Sequence, residues 1–304
     1  VSQDFGGLSE VNNTNATVEE LRYESFIIHN LQINSRMSLE TTLIIETSEI
    51  AQSGDVSKKR DFDFIRPKID YRFDLTPSLQ FRATVEKNVS QLSFNDFTAN
   101  TNSGDEDQNT IAGNPELRQE QSWRYDLNLE YRFNDDNGVI SSNIYYHDLE
   151  DVIDRVDVST LTTIQSANGN IGDGERYGLR LNGSLRLNFI GQPGILVTTG
   201  LNLESSSVTD PFLGIDRRLS YFSNNRQGRG NYSLGFRHDM PKRDINYGFT
   251  YRNSIQDNNK VYDINRIESY NSDPFSIVFV EYQGWEGMTL RFEATNPHES
   301  ERCR

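Results

Sequence analysis

The stretch 123–133, WRYDLNLEYRF, alternates without a break. Trp123, Tyr125, Leu127, Leu129, Tyr131 and Phe133 are apolar, and Arg124, Asp126, Asn128, Glu130 and Arg132 between them are polar. A period of two held this long predicts a β-strand with one face in an apolar medium and the other in water. At about 3.3 Å per residue the stretch spans roughly 33 Å, and at a tilt of about 40° it matches the apolar band of ~25 Å of a membrane barrel wall. Its aromatics stand at the two ends and its leucines in the middle, the order expected across a bilayer. One half-buried strand of a soluble β-sandwich would read the same way.

The rest of the chain repeats the pattern. Strands are expected at 21–33, 37–45, 65–73, 79–85, 123–133, 139–146, 177–189, 195–203, 232–236, 245–251, 275–282 and 288–296, with imperfect alternation in the first and blurred alternation at 275–282. Pro67 inside the third is an objection, since proline donates nothing to a ladder. Short links such as 34–36, 74–78 and NDDNG, whose Asn137-Gly138 is a hairpin signal, join the strands in pairs. Connections of about 12 to 30 residues separate the pairs. Short turns on one side and long loops on the other are the arrangement of outer-membrane barrels, and they predict an all-β, antiparallel transmembrane segment of twelve strands in six hairpins. By strand parity both ends of the chain fall on the long-loop side, so an open curved sheet cut from a larger barrel is expected, with edges at 21–33 and 288–296. Closure into a small twelve-stranded barrel is the structural alternative.

Composition narrows the function classes. Only 35% of the residues are hydrophobic, too few to fill a large soluble core easily but enough for a barrel apolar only on its outer face. Tyr at 14 and Phe at 17 argue against disorder. The net charge of -15 disfavours nucleic acid, whose phosphates it would repel. A lone cysteine, Cys303, excludes an internal disulfide framework. No apolar run is long enough for a transmembrane helix, and the polar opening VSQDFGGLSE does not read as a signal peptide, a start that a mature protein and an excised fragment both fit.

Residues 62–154 resemble the barrel domain of TonB-dependent outer-membrane receptors. The resemblance rests on IDYRFDLTPSLQFRATVEKNVSQLSFNDF, then Gly113-Asn114-Pro115-Glu116-Leu117 with Glu120 and Ser122, then WRYDLNLEYRF and VISSNIYYHDLEDVI with Tyr145, Tyr146, Asp151 and Ile153. Further on, GERYGLRLNGSLRL and GMTLRFEATN are similar to later family strands, so the likeness covers most of 60–300 and the chain reads as one partial barrel domain, 1–304. It implies a part of a receptor for energised uptake of a scarce, bulky nutrient, an iron chelate, cobalamin or glycan, captured by extracellular loops in the outer membrane of a Gram-negative bacterium. Implied partners are outer-membrane lipid and lipopolysaccharide, an extracellular small-molecule or oligosaccharide ligand, and the TonB complex through a missing N-terminal region. The family's plug domain, its TonB box and its closing strands are not seen; against a family barrel of 22 strands, about seven would precede and three follow. A passive porin-like or adhesin-like barrel and a soluble β-sandwich binding protein are the competing classes.

No catalytic or cofactor constellation emerges. His29, His147, His238 and His298 are scattered, without metal-ligand spacing. Asp105, Glu106 and Asp107 lack the EF-hand pattern and read as a solvated loop. Arg217, Arg218, Arg226 and Arg229 could take an anion or lipopolysaccharide phosphate, or balance acidic loops. Phe212, Tyr221 and Phe222 could stack on a ligand ring or anchor loops. The residues expected to face a lumen are Arg124, Asp126, Asn128, Glu130, Arg132, Arg180, Asn182 and Arg186, forming in the parent protein cross-strand ion pairs and hydrogen bonds that hold the barrel wall and contact the plug.

Overall fold

A computed structural model of the protein describes residues 16–101, 110–134, 137–159, 161, 165–220, 228–255, 259–263, 267–269, 271–285 and 287–297. In chain order its strands are β1 (Ala16–Asn34), β2 (Met37–Gly54), β3 (Lys58–Thr76), β4 (Leu79–Val89), β5 (Asn100–Thr101), β6 (Thr110–Ala112), β7 (Gln121–Arg132), β8 (Gly138–Glu150), β9 (Ile153–Asp157) and β10 (Ser166–Asn170). There follow β11 (Gly174–Leu187), β12 (Gln192–Thr209), β13 (Asp216–Arg217), β14 (Gly230–Met240), β15 (Ile245–Ser254), β16 (Lys260–Tyr262), β17 (Ile267–Ser269), β18 (Phe275–Trp285) and β19 (Met288–Thr295).

Twelve of them build one wall in the order β1-β2-β3-β4-β7-β8-β11-β12-β14-β15-β18-β19, with β13 added beside β12. The wall is antiparallel throughout. Among the described residues β1 and β19 each pair on one side only, so the sheet is open, and the small closed barrel is not formed.

Alternation places large apolar side chains on one face, and they are the exposed ones: Tyr125 43%, Leu127 48%, Leu129 43% and Tyr131 42%. An apolar face exposed over this area has the character of a strand face made for an apolar medium. Register sets Tyr125, Tyr146 and Tyr177 side by side on adjacent strands as one aromatic row. Nearer the short turns Phe73, Phe81 and Leu129 are in register, and the Tyr131 and Phe133 rings meet edge-on at 5.0 Å.

The structure answers the two irregular strands and the proline. The Asp74 N–H donates to the Arg36 carbonyl, which by alternation makes Leu43 and Pro67 a non-hydrogen-bonded pair. The Pro67 nitrogen therefore points toward β4, whose ladder with β3 ends at Lys68, and no bond is lost. Alternation at 275–282 is blurred because Phe275 and Phe279 lie on the polar face, where Arg252 and Arg291 stack on them at 4.8 and 4.5 Å. In β1, Phe26 and Ile28 open onto the same face, at 67% and 50% exposure.

The expected loop lengths need correction. The first long loop is only residues 55–57, because β2 and β3 remain paired from Ile45 and Ile65 up to Gln52 and Lys58. Above the apolar belt the outer face turns polar, with Thr47, Glu49, Lys59, Asp61 and Asp63, while Ile50 and Phe62 on the opposite face pack under the cap, so the alternation of the belt is lost while the backbone ladder continues. The gaps at 90–121 and 149–176 are likewise structured: β5, β6, β10 and β9 form a second sheet in that order, with β6 and β10 parallel.

Candidate functional site

Two regions collect the polar side chains: the polar face of the wall and the cap over its long-loop end. On the wall, a groove of about 540 Å³ crosses β3, β4, β7, β8 and β11. Each carboxylate lining it is engaged. Asp70 accepts from Arg82 at 2.7 Å and Thr84 at 3.0 Å. Glu86 is 3.7 Å from Arg124, Glu130 is 2.6 Å from Arg132, and Asp126 accepts from Asn143 at 3.0 Å with His147 at 3.7 Å.

The expected wall residues are thus placed. Arg124, Asp126, Asn128, Glu130 and Arg132 share one face of β7. Arg180 and Asn182 stand two strands away on β11, with β8 between, so the contact is relayed: Asn143 of β8 donates to Asp126 and Asn128 at 3.0 Å and accepts from Arg180 at 3.3 Å. Arg186 reaches in the other direction, to Asp239 at 4.0 Å. The Arg132–Glu130 pair lies within one strand, not across two. Beyond those residues, Tyr145 is the centre that periodicity does not single out. It is 2% exposed, lies over Gly178, donates to Glu204 at 3.3 Å, and carries the Arg180 guanidinium at 4.3 Å. A Cβ on Gly178 would fall 2.6 Å from its hydroxyl oxygen, so glycine there makes room for the ring.

The cap is organised by the Gly-Asn-Pro-Glu-Leu turn. A Cβ at Gly113 would lie 2.3 Å from the Phe97 carbonyl oxygen. Asn114 closes an Asx turn onto the Glu116 N–H at 2.9 Å and donates to Asn168 of β10 at 2.9 Å. Leu117 is fully buried with Ile50, Leu92, Phe97 and Ile153. From β3, Arg60 donates to the carbonyls of Pro115 and Leu117, and Lys58 pairs with Glu116. Glu120, also buried, accepts from the Ile153 N–H at 3.2 Å.

The opposite side of the cap is held by Arg217. Its side chain, 6% exposed, donates to Asp210 at 2.7 Å and Asp154 at 3.1 Å and lies 4.1 Å from the Tyr262 ring centre. Three long connections therefore meet on one guanidinium. Burial raises the Asp154 pKa against the opposing pull of Arg217. The Asp210 pKa is lowered, since the Arg217 bond and the N–H groups of Leu213 and Phe212 outweigh its burial. Arg218 donates to the Glu204 and Gly228 carbonyls. Arg217 and Arg218 are therefore internal fasteners of the cap. Phe212, 41% exposed, sits on the turn that Asp210 closes.

Among the histidines, His29 lies on the apolar face of β1 opposite Thr41, and His238 is 3.0 Å from the Tyr247 hydroxyl. Among the described residues no group of three metal-ligating side chains converges. Asp105, Glu106, Asp107, Tyr221, Phe222, Arg226, His298 and Cys303 lie outside the described residues.

A family model described as TonB dependent receptor-like, beta-barrel, matches residues 3–296. A search of curated proteins finds no match. Solved structures of similar fold include the alcaligin outer-membrane receptor FauA from Bordetella pertussis (TM-score 0.60, 10% identity, covering 92% of this chain and 43% of that one). The copper transporter OprC has TM-score 0.71 and 14% identity over 92% of this chain and 43% of its own. The ferric-catecholate import receptor Fiu from E. coli K12 has TM-score 0.64 and 13% identity over 96% of this chain and 42% of its own. The chain thus spans less than half the length of these proteins.

Proposed function

The chain belongs to the TonB-dependent receptor-like β-barrel family, and from that premise we propose that it forms part of the wall and extracellular cap of an outer-membrane receptor for energised uptake of a scarce, bulky nutrient. Receptor, not enzyme, is the reading. Residues 1–304 are taken as one partial barrel domain, its polar face as lumenal and its apolar face as the surface against lipid and lipopolysaccharide. The observation that carries it is the cap: long connections at one end of a membrane-dimensioned wall fold into a packed sheet tied by Arg60 and Arg217, a rigid frame for capturing ligand. The proteins of similar fold are described as receptors or transporters for alcaligin, copper and ferric catecholates, which favours a metal or its chelate over cobalamin or a glycan. Coupling to the TonB complex is part of the same proposal.

The test is uptake of radiolabelled iron chelates, copper, cobalamin and oligosaccharides by cells with and without the gene, repeated after collapse of the proton gradient. One ligand is expected to accumulate only with both gene and gradient. Gene-dependent accumulation that survives the collapse would identify a passive porin instead.

A further inference from the structure

Four consecutive residues at the exit of β8, Asp151-Val152-Ile153-Asp154, each attach to a different part of the cap. Asp151 has φ 56°, in the left-handed region that side chains other than glycine rarely adopt. The other non-glycine residues with positive φ among those described, Asp244 and Asn296, lie in the β14–β15 turn and at the end of β19. The left-handed residue takes the chain out of the β8 ladder, whose last pair with β7 is Glu150 and Gln121. Three segments hold it there: its carboxylate accepts from Arg118, its N–H donates to Asp173 at 3.3 Å, and its carbonyl accepts from Asn170 at 2.8 Å.

Beyond that bend the side chains part. Val152, fully buried, packs with Leu149, Val208 and Leu219 on the Arg217 side of the cap. Ile153, 2% exposed, enters the other cluster, with Ile50, Leu92, Phe97 and Leu117, and its N–H donates to Glu120. Asp154 returns to the first side, to Arg217 at 3.1 Å. Adjacent residues of an extended chain point to opposite faces, so the two hydrophobic clusters are joined across one peptide bond. Displacing either cluster pulls on the other, because neither side chain can leave its seat without opening a void.

We propose that residues 151–154 are a conformational coupler, which makes the Gly113–Leu117 side and the Arg217 side of the cap open and close as one unit, so that an event at either side is registered at the other. The coupler rests on packing within the cap and not on the receptor reading, which the uptake experiment tests apart.

Amide hydrogen exchange of the protein in lipid vesicles tests it. R60M loosens the first side directly, through the Pro115 and Leu117 carbonyls, and R217M the second. Each variant is expected to speed exchange at both 113–120 and 210–217 by a common factor, since amides released in one opening share its free energy, while β7 and β11 stay protected. For R60M that factor is about tenfold or more, from the loss of charge-assisted hydrogen bonds. Two glycines inserted between Val152 and Ile153 leave both clusters their side chains but slacken the join; R60M is then expected to act at 113–120 alone and R217M at 210–217 alone. Effects confined to one side without the insertion, or responses on both sides that survive it, overturn the coupler. If the inserted protein does not assemble, D151V decides. Its β-branched side chain is strained in the left-handed region and is expected to speed both sides together, whereas D151G keeps the bend and stays within about a few-fold of the parent. D151V acting on one side or on neither overturns the proposal.

Discussion

Arg217 shows what one residue can hold. Two buried carboxylates and a ring from three connections converge on it, and removing one partner of a buried ion pair leaves charge uncompensated, at a cost of about 3–5 kcal/mol. R217M is expected to raise amide hydrogen exchange across 151–159, 210–217 and 259–263 together, leaving the wall strands protected; separate responses of the three segments would show that they are not coupled. The pH response follows from the two aspartates. Asp154, with its pKa raised, contributes most below the unfolded value, and that contribution is lost as pH rises through the folded one; Asp210, with its pKa lowered, contributes above the unfolded value and loses it as pH falls through the folded one. On acidification Asp154 is protonated first, with no loss of stability, so protection of the 210–217 turn is expected to persist through mild acid and fail only below the ordinary carboxylate range. Exchange corrected for its intrinsic pH dependence measures this.

Among elements, β7 states the rule of the wall. Its two faces differ in solvent, so the same substitution has opposite weight on each. L127R, on the apolar face near the middle of the belt, is expected to destabilise the folded state in bilayers by about 2–4 kcal/mol. S184R, on the polar face of β11, is expected to cost less than about 1 kcal/mol, both read from denaturant unfolding in lipid vesicles. Equal costs would mean that the two faces share one medium. The alternation that identifies these strands also explains its own failures: where Phe275 and Phe279 are covered by arginines the contrast between faces is blurred, and where β2 and β3 rise above the apolar belt it reverses, with Ile50 and Phe62 buried on the other face, but the ladder continues in both.

At the scale of the molecule, the wall has a turn end and a cap end, and the proposed orientation puts the cap outside the cell. In a C303S background, S159C in the cap is expected to react with an impermeant thiol reagent added to intact cells, whereas S78C in the β3–β4 turn is expected to react only after the outer membrane is permeabilised. Labelling in the reverse order would invert the orientation.

The amino-acid sequence by itself determined the strands, their pairing into six hairpins and the two faces, because a period of two and a hairpin turn are local properties read within a few residues. It also marked the Gly113–Leu117 turn without revealing that its glycine and leucine are packing requirements of the cap. Only the tertiary structure decided which polar groups meet. Arg180 is expected on the polar face from spacing alone, yet its setting depends on Tyr145, Asn143 and Gly178, brought together by β8 pairing with β11 across a connection of more than twenty residues. Arg217 reads in the sequence as one of several loop arginines, and becomes a buried clasp because Asp154 and Tyr262, distant along the chain, fold against it. Side-chain convergence of that kind is fixed by packing and desolvation, which no local pattern encodes.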